Sequence, residues 1–249
     1  MSENPASRSW YLDPLVAQQK QQVHLELVAR WAPQKPGRLL KTDLFEEANG
    51  DDQLLFELCR ECGTAIGFDR DLEVVAWARK RCPEGLAVGI LAGDARSIPL
   101  KTGSIDVVVS NSTLDHFQDK NDLAVAFQEL ARVLRPGGIF ILTLDNPLNP
   151  LYWPLRWFSG AGPFRLGYTP FPGELRKQLD LASLDVIESA NLLHNPRFIS
   201  TLLFLVIRLL SGRRGDGLIR SCLRFFARFE RLPTRRFTSC FCAVAARKR

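Results

Sequence analysis

Gly93-Asp94-Ala95-Arg96-Ser97-Ile98-Pro99-Leu100, then Ser104-Ile105-Asp106-Val107-Val108-Val109-Ser110-Asn111-Ser112-Thr113-Leu114-Asp115-His116-Phe117, then Ala131-Arg132-Val133-Leu134-Arg135-Pro136-Gly137-Gly138-Ile139-Phe140-Ile141-Leu142-Thr143-Leu144-Asp145-Asn146-Pro147 decide the fold class. The first stretch has the acid-then-alanine ending of a strand. The second is a Val-rich strand that breaks into a polar Ser-Asn-Ser turn. An amphipathic helix follows, closed by Arg-Pro-Gly-Gly, and then another apolar strand. Strand and helix in alternation imply a parallel sheet with right-handed crossovers. In such a sheet every strand's carboxyl end opens onto one ligand crevice, so the residues just quoted share a single site.

The same alternation extends in both directions. Asp13-Pro14 starts a helix that runs to about Arg30, with Asp as its cap and Pro at its first position; Pro33 and Pro36 end it. Residues 38–44 read as a first strand, 53–61 as a helix capped by Asp51, and 64–68 as a second strand ending at Asp69. Asp71 caps a helix over 72–81. Strands are predicted at 86–91, 105–110 and 139–144, with a helix over 122–134 between the last two. Residues 147–172, rich in Pro, Gly, Trp and Phe, read as a lid or substrate-side insert. A helix over 172–181, a strand over 184–193, basic amphipathic helices over 199–210 and 218–230 and a strand over 236–246 complete the chain.

This succession resembles the class I S-adenosylmethionine (SAM)-dependent methyltransferase family, of the methyltransferase type 11 kind, from about Pro36 to Pro147, with weaker support after Leu184 and Arg236. The resemblance implies a Rossmann-like α/β fold: a seven-stranded, mostly parallel sheet with helices on both faces and an antiparallel last strand. It implies one methyltransferase domain over residues 1–249, made of an N-terminal helix (1–35), a cofactor-binding core (36–147), a lid or substrate insert (148–183) and a sheet completion with basic amphipathic helices (184–249). The activity implied is methyl transfer from SAM to a small or lipid-like acceptor. A methyltransferase-like domain that only binds, and an RNA methyltransferase, are the alternatives. Against the latter, there is no aromatic-rich RNA platform, and Asp145-Asn146-Pro147 is only superficially similar to an Asn-Pro-Pro-Tyr signature.

The family opens with an acidic residue and a Gly-rich turn after the first strand, whereas this chain has Lys41-Thr42-Asp43-Leu44-Phe45-Glu46-Glu47-Ala48-Asn49-Gly50 there. A dinucleotide needs glycines so that backbone N–H groups approach its pyrophosphate. SAM has no phosphate; it carries a sulfonium and an ammonium, which carboxylates such as Asp43, Glu46 or Glu47 can face directly. The bland alternative is that these are exposed loop charges. The resemblance assigns Asp69 to the ribose hydroxyls, since a carboxylate offers two acceptor oxygens to two adjacent donors. It assigns Asp94 to the adenine amine, with small Ala95 leaving room for the ring, and places Ser110 and Asn111 where methionine and acceptor meet. Gly137 and Gly138 read as structural. Of three histidines, His24 reads as a surface residue, whereas His116 and His194 are candidate general bases.

Composition bounds the rest. The 249 residues are 46% hydrophobic, enough for a buried sheet with helices on both faces. Residues 1–12 lack a basic-then-apolar signal pattern, with Trp10 and Tyr11 standing alone, and the run 199–210 falls short of the ~20 residues of a membrane span. The expectation is a cytoplasmic protein, peripheral to a membrane in one reading. Six cysteines form no disulfide framework; a zinc site from Cys59, Cys62, Cys240 and Cys242 is weaker than the reading of all as buried thiols. No His and carboxylate cluster has metal-ligand spacing, so no metal is expected. Residues 197–249 hold 13 Lys/Arg against 2 Asp/Glu, a balance of +11 in a chain of net charge +6. That asymmetry suggests an anionic membrane or lipid partner, with nucleic acid less favoured and a solvated helix face as the bland alternative. The insert's Trp153, Trp157, Phe158, Phe164, Tyr168 and Phe171 suit an apolar or aromatic acceptor, or simply a sealed lid.

Overall fold

A computed structural model describes residues 13–158 and 167–249. Trp10, Tyr11, Phe164 and the Phe158 side chain lie outside the described residues. The elements in chain order are α1 (Pro14–Trp31), β1 (Arg38–Thr42), α2 (Phe45–Asn49), α3 (Leu54–Glu61), β2 (Thr64–Asp69), α4 (Leu72–Arg81) and β3 (Val88–Ala92). They continue with β4 (Ile105–Asn111), a 3-10 turn (Leu114–His116), α5 (Lys120–Val133), β5 (Leu134–Asp145), α6 (Tyr152–Phe158), α7 (Pro172–Leu181) and β6 (Leu184–Leu192). The last are α8 (Arg197–Ser211), α9 (Asp216–Ala227), α10 (Arg235–Thr238) and β7 (Phe241–Lys248).

One seven-stranded sheet runs β3-β2-β1-β4-β5-β7-β6. All neighbours among the first five strands are parallel, and β7 is antiparallel to both β5 and β6. The chain steps outward from β1 to β3 and then returns to β4 on β1's other side. The β1/β4 seam is therefore the topological switch point, where a ligand crevice opens. Consecutive strand residues face opposite layers. Leu40, Val108, Phe140 and Leu142 pack with α5 and α7, whereas Leu39, Val107, Val109 and Ile141 pack with α1 and α3. Asp13 caps α1 by accepting from the Leu15 amide, and Asp71 caps α4 by accepting from that of Glu73.

Several expectations need correction. β1 stops at Thr42, because Asp43 turns into the left-handed region (φ 67°) and starts the unforeseen α2. Asp51 does not cap α3; Gln53 precedes it without a side-chain cap. Arg135-Pro136-Gly137-Gly138 is a bulge inside β5 rather than a clean helix stop. Pairing with β4 jumps from Leu134 to Ile139, and Gly137 supplies a φ of 77°. Residues 235–238 are helical instead of extended, because their carbonyls serve other groups than a sheet neighbour. The Asn146 side-chain amide donates to the Arg236 and Ser239 carbonyls and to Ser239 Oγ, and the Asn149 amide donates to Ser239 O. His24, read as a surface residue, is buried. The cysteines are free, with Cys59 on α3 in the cluster of Ala65, Val75 and Ala78 and Cys240 in a separate cluster near β7.

Candidate active site

Five polar residues mark the carboxyl edge: Asp43 beyond β1, Asp69 ending β2, Asp94 beyond β3, Asn111 ending β4 and Asp145 ending β5. Ser110 is fully buried at the switch point, paired with Thr42 across the seam, and accepts a hydrogen bond from Thr42 Oγ1 at 2.9 Å. Asn111 is also buried, and its Oδ1 has no hydrogen-bond partner.

The first turn works without glycine, and local chemistry explains how. A positive φ is costly for most side-chain-bearing residues, but Asp tolerates it when its carboxylate bonds locally. Asp43 Oδ1 accepts from the Phe45 amide at 2.6 Å, and the Asp43 amide donates to Phe68 O at 2.9 Å. Beneath it, Lys41 Nζ donates to the Asp43 carbonyl at 2.6 Å and to Glu47 Oε2 at 2.9 Å. Glu47 Oε1 accepts from the Leu55 amide at 2.8 Å. Lys41 and Glu47 are 1% and 0% exposed, so this ion pair is an internal strut between β1, α2 and α3. Burial pushes Lys41 toward neutrality, but the charges of Glu47 and Asp43 outweigh it and hold its pKa above the ordinary value. Asp43 itself is half-buried. Burial raises its pKa to about 6, with Asp69 adding to the rise and Lys41 opposing it.

Glu46 does not open onto this edge. Its Oε1 accepts from Lys20 Nζ of α1 at 3.1 Å, and Lys20 also lies 3.5 Å from fully buried Asp52. Nor are Asp43, Glu46 and Glu47 exposed loop charges: the first is half-buried and the others are buried. His24 sits close to Lys20, its Nδ1 2.7 Å from the Lys20 carbonyl, so that nitrogen carries the proton. Burial, then the Lys20 charge, lowers its pKa to about 4. The sequence reading overlooked this polar cluster of Lys20, His24, Lys41, Glu47 and Asp52. A lysine in the middle of an apolar strand was the available signal, because a buried charge needs a buried partner.

Asp69 is placed as the resemblance implied, at the end of β2. Its Oδ2 accepts from the Leu44 amide and its Oδ1 from the Asp71 amide, each at 2.9 Å, and each oxygen retains a further lone pair. Asp94 is gripped by Arg96, at 3.0 Å from Nε and 2.7 Å from a terminal nitrogen, and that contact holds its carboxyl below the usual range. Arg96 also reaches Asp122 at 3.1 Å. Ala95 is buried in the core beneath this rim.

The two candidate bases differ in position. His116 is exposed on the 3-10 turn after β4, where a second segment straps the backbone: the Gly167 amide donates to Asp115 O at 2.8 Å and the Tyr168 amide to Phe117 O. A β-carbon on Gly167 would stand 2.3 Å from Phe117 O, so the strap requires glycine there. His194 follows β6, three strands beyond β4 in the order β4-β5-β7-β6, or roughly 14 Å at the usual strand spacing. It is buried with Nδ1 2.8 Å from Thr238 Oγ1; burial lowers its pKa, and Nε2 has no hydrogen-bond partner. Among the described residues no group of three or more His, Cys, Asp or Glu is placed to hold a metal ion.

A family described as "Methyltransferase domain" matches residues 46–142. A probable SAM-dependent methyltransferase of Mycolicibacterium smegmatis is 37% identical over 139 residues, covering 52% of this chain and 46% of that protein. A malonyl-[acyl-carrier protein] O-methyltransferase of Dechloromonas aromatica is 35% identical over 133 residues, 51% of this chain and 48% of the other. The chain thus spans about half the length of these curated relatives. A solved SAM-dependent methyltransferase from Mesorhizobium loti shares the fold at TM-score 0.60 and 14% identity, covering 90% of this chain and 96% of that one. By these matches residues 46–142 are similar to a methyltransferase-domain family, and the chain, with its 3-2-1-4-5-7-6 sheet and antiparallel β7, shares its fold with a solved SAM-dependent methyltransferase.

Proposed function

We propose that this protein transfers the methyl group of SAM to a small or lipid-like acceptor at the β1/β4 switch point. The observation that carries the reading is the row of acids at successive strand ends, Asp43, Asp69 and Asp94, beside buried Ser110 and Asn111. The residues fit the cofactor. Asp43 faces its cationic end, the spare lone pairs of Asp69 receive the ribose hydroxyls, and the outer side of the Asp94 carboxylate receives the adenine amine. Bound SAM supplies an activated methyl group on a sulfonium. The protein's work is then to position the acceptor in line and to exclude water. The aromatic insert is suited to excluding water, since Trp153 stacks on Phe171 with ring centres 6.1 Å apart and ties α6 to the start of α7. Where the acceptor carries a hydroxyl or phenol, His116 takes its proton, because it follows the strand that forms the switch point.

Titration calorimetry with SAM tests the reading. Asp69→Ala is expected to weaken binding by roughly 1.5–3 kcal/mol, the scale of hydrogen bonds to a charged group. Asp69→Asn, which keeps one acceptor for the Leu44 amide, guards against a merely structural loss. Unchanged affinity in both variants removes Asp69 from the ribose site. Absence of heat with the wild-type protein removes SAM transfer itself and leaves a domain that only binds other partners, the reading that the glycine-free first turn favours.

A further inference from the structure

The insertion between β6 and β7 presents a surface that the methyl-transfer reading does not use. In α8 the side chains turned inward are Ser200, Phe204 and Ile207, with Phe204 and Ile207 packed against Leu15 of α1 and Ile219 and Leu223 of α9. Successive residues turn by about 100° around a helix axis, so the opposite arc is formed by Ile199, Leu202, Leu203, Val206, Leu209 and Leu210. All six are exposed, Leu209 to 76% and Leu210 to 81%. No charged residue interrupts that arc, since Arg208 points aside to an ion pair with Asp13 at 2.6 Å and another with Asp216. A contiguous aliphatic face of this kind is uncommon on a protein surface that meets only water.

What covers it is indicated by the charge of the segment that follows it. Between residues 212 and 236 eight arginines are exposed: Arg213 and Arg214 at the end of α8, Arg220 and Arg224 on α9, and Arg228, Arg231, Arg235 and Arg236 beyond it. The acids in that span are Asp216, already paired with Arg208, and Glu230. An exposed aliphatic helix face followed along the chain by an excess of exposed arginines matches the composition of a helix lying in the plane of an anionic bilayer. A second copy of this chain would set the same eight arginines against themselves, so charge favours lipid over self-association. No helix among the described residues is long and apolar enough to cross a membrane.

We infer that α8 docks this protein on an anionic membrane surface, with Leu202, Leu203, Val206, Leu209 and Leu210 entering the boundary between headgroups and acyl chains. The arginines of residues 212–236 engage lipid phosphates. The inference is independent of methyl transfer, because docking is read without SAM.

Co-sedimentation of the full chain with vesicles tests it, using phosphatidylcholine alone and phosphatidylcholine mixed with phosphatidylglycerol. The wild-type protein is expected in the pellet with the mixed vesicles only, and to leave it at high salt. Arg213→Ala/Arg214→Ala is expected to weaken partitioning roughly five-fold for each arginine, the equivalent of about 1 kcal/mol apiece. Leu209→Glu/Leu210→Glu is expected to weaken it by about ten-fold or more, since two exposed leucines then carry charge into an apolar layer. Both pairs are exposed, and unchanged circular dichroism confirms that the variants fold. Wild-type protein left in the supernatant with both vesicle types overturns the inference, as does binding that neither double variant weakens. A lipid-free dimer that Leu209→Glu/Leu210→Glu dissociates also overturns it, by showing that a second copy covers the face.

Discussion

Replacing Lys41 by Met tests whether the first turn is held by an internal ion pair. The methionine side chain approximates the aliphatic stem but offers nothing to Glu47 Oε2, which then sits fully buried without its cation 2.9 Å away. The Asp43 carbonyl loses its 2.6 Å donor in the same step. Breaking a buried pair from one side typically costs about 3–5 kcal/mol, whereas an exposed pair is worth about 1 or less. Exposures of 1% and 0% place this pair firmly in the first class. The partner change Glu47→Gln removes the charge yet keeps a carbonyl for the Leu55 amide. Lys41→Met/Glu47→Gln is therefore expected to lose under about 2 kcal/mol, much less than Lys41→Met alone. Urea unfolding of the wild type, both single variants and the double variant measures this, with the midpoint shifting at constant slope. A Lys41→Met protein within about 1 kcal/mol of the wild type refutes the strut, because the pair would then be behaving like a surface contact.

Two predictions concern the reaction. His116→Ala is expected to lower turnover of a hydroxyl acceptor by ~10²–10⁴ with SAM affinity intact, while His194→Ala keeps turnover, as the S-adenosylhomocysteine released against a panel of small and lipid-like alcohols and phenols shows. Loss of turnover in the second variant alone reverses the assignment. SAM affinity is expected to rise with pH through about 6, where Asp43 ionises. A cation prefers the ionised carboxylate, so below that pH binding must first expel a proton and weakens by at most about ten-fold per pH unit. Calorimetry across pH 5 to 7 is expected to show this slope in the wild type and a flat profile in Asp43→Asn, which tolerates the same positive φ. Equal slopes in both remove Asp43 from the cation site.

The sheet was legible because its strands carry their own punctuation. Val107-Val108-Val109 and Ile139-Phe140-Ile141-Leu142 are apolar runs buried on both faces, and Asp71 caps its helix as its position suggests. The first turn was less legible, since its conformation depends on a contact between residues six apart. Glu47 needs Lys41 beneath it, and Asp43 takes its left-handed angle only with the Phe45 amide as a local partner. Residues 235–238 were misread for the same kind of reason. Their local pattern suits a strand, but the carbonyls of Arg236 and Thr238 accept from the Asn146 and Asn149 amides, some ninety positions earlier in the chain. His24 was misplaced because the helix around it carries several polar residues, whereas in space it is buried beside Lys20 and Lys41.

Strand direction joins the two proposals. β7 is antiparallel to β5 and to β6, so β5 and β6 run the same way and end at the same edge of the sheet. That is also the edge where β1 and β4 deliver Asp43, Ser110 and Asn111. The aromatic insert leaves from the end of β5, and the basic helices occupy the connection from the end of β6 to the start of β7. Both additions to the core therefore arise beside the crevice, and neither arises from the opposite edge. Lys20 of α1 meets Glu46 just beyond β1, and Leu15, little more than one helical turn earlier, packs with α8 and α9. The same helix thus touches the turn after β1 and the amphipathic insertion. A surface that held α8 against lipid would keep the crevice edge near the membrane, where a lipid-like acceptor is concentrated and a water-soluble one is not. If both proposals hold, a lipid-like acceptor is the class that uses the two features together.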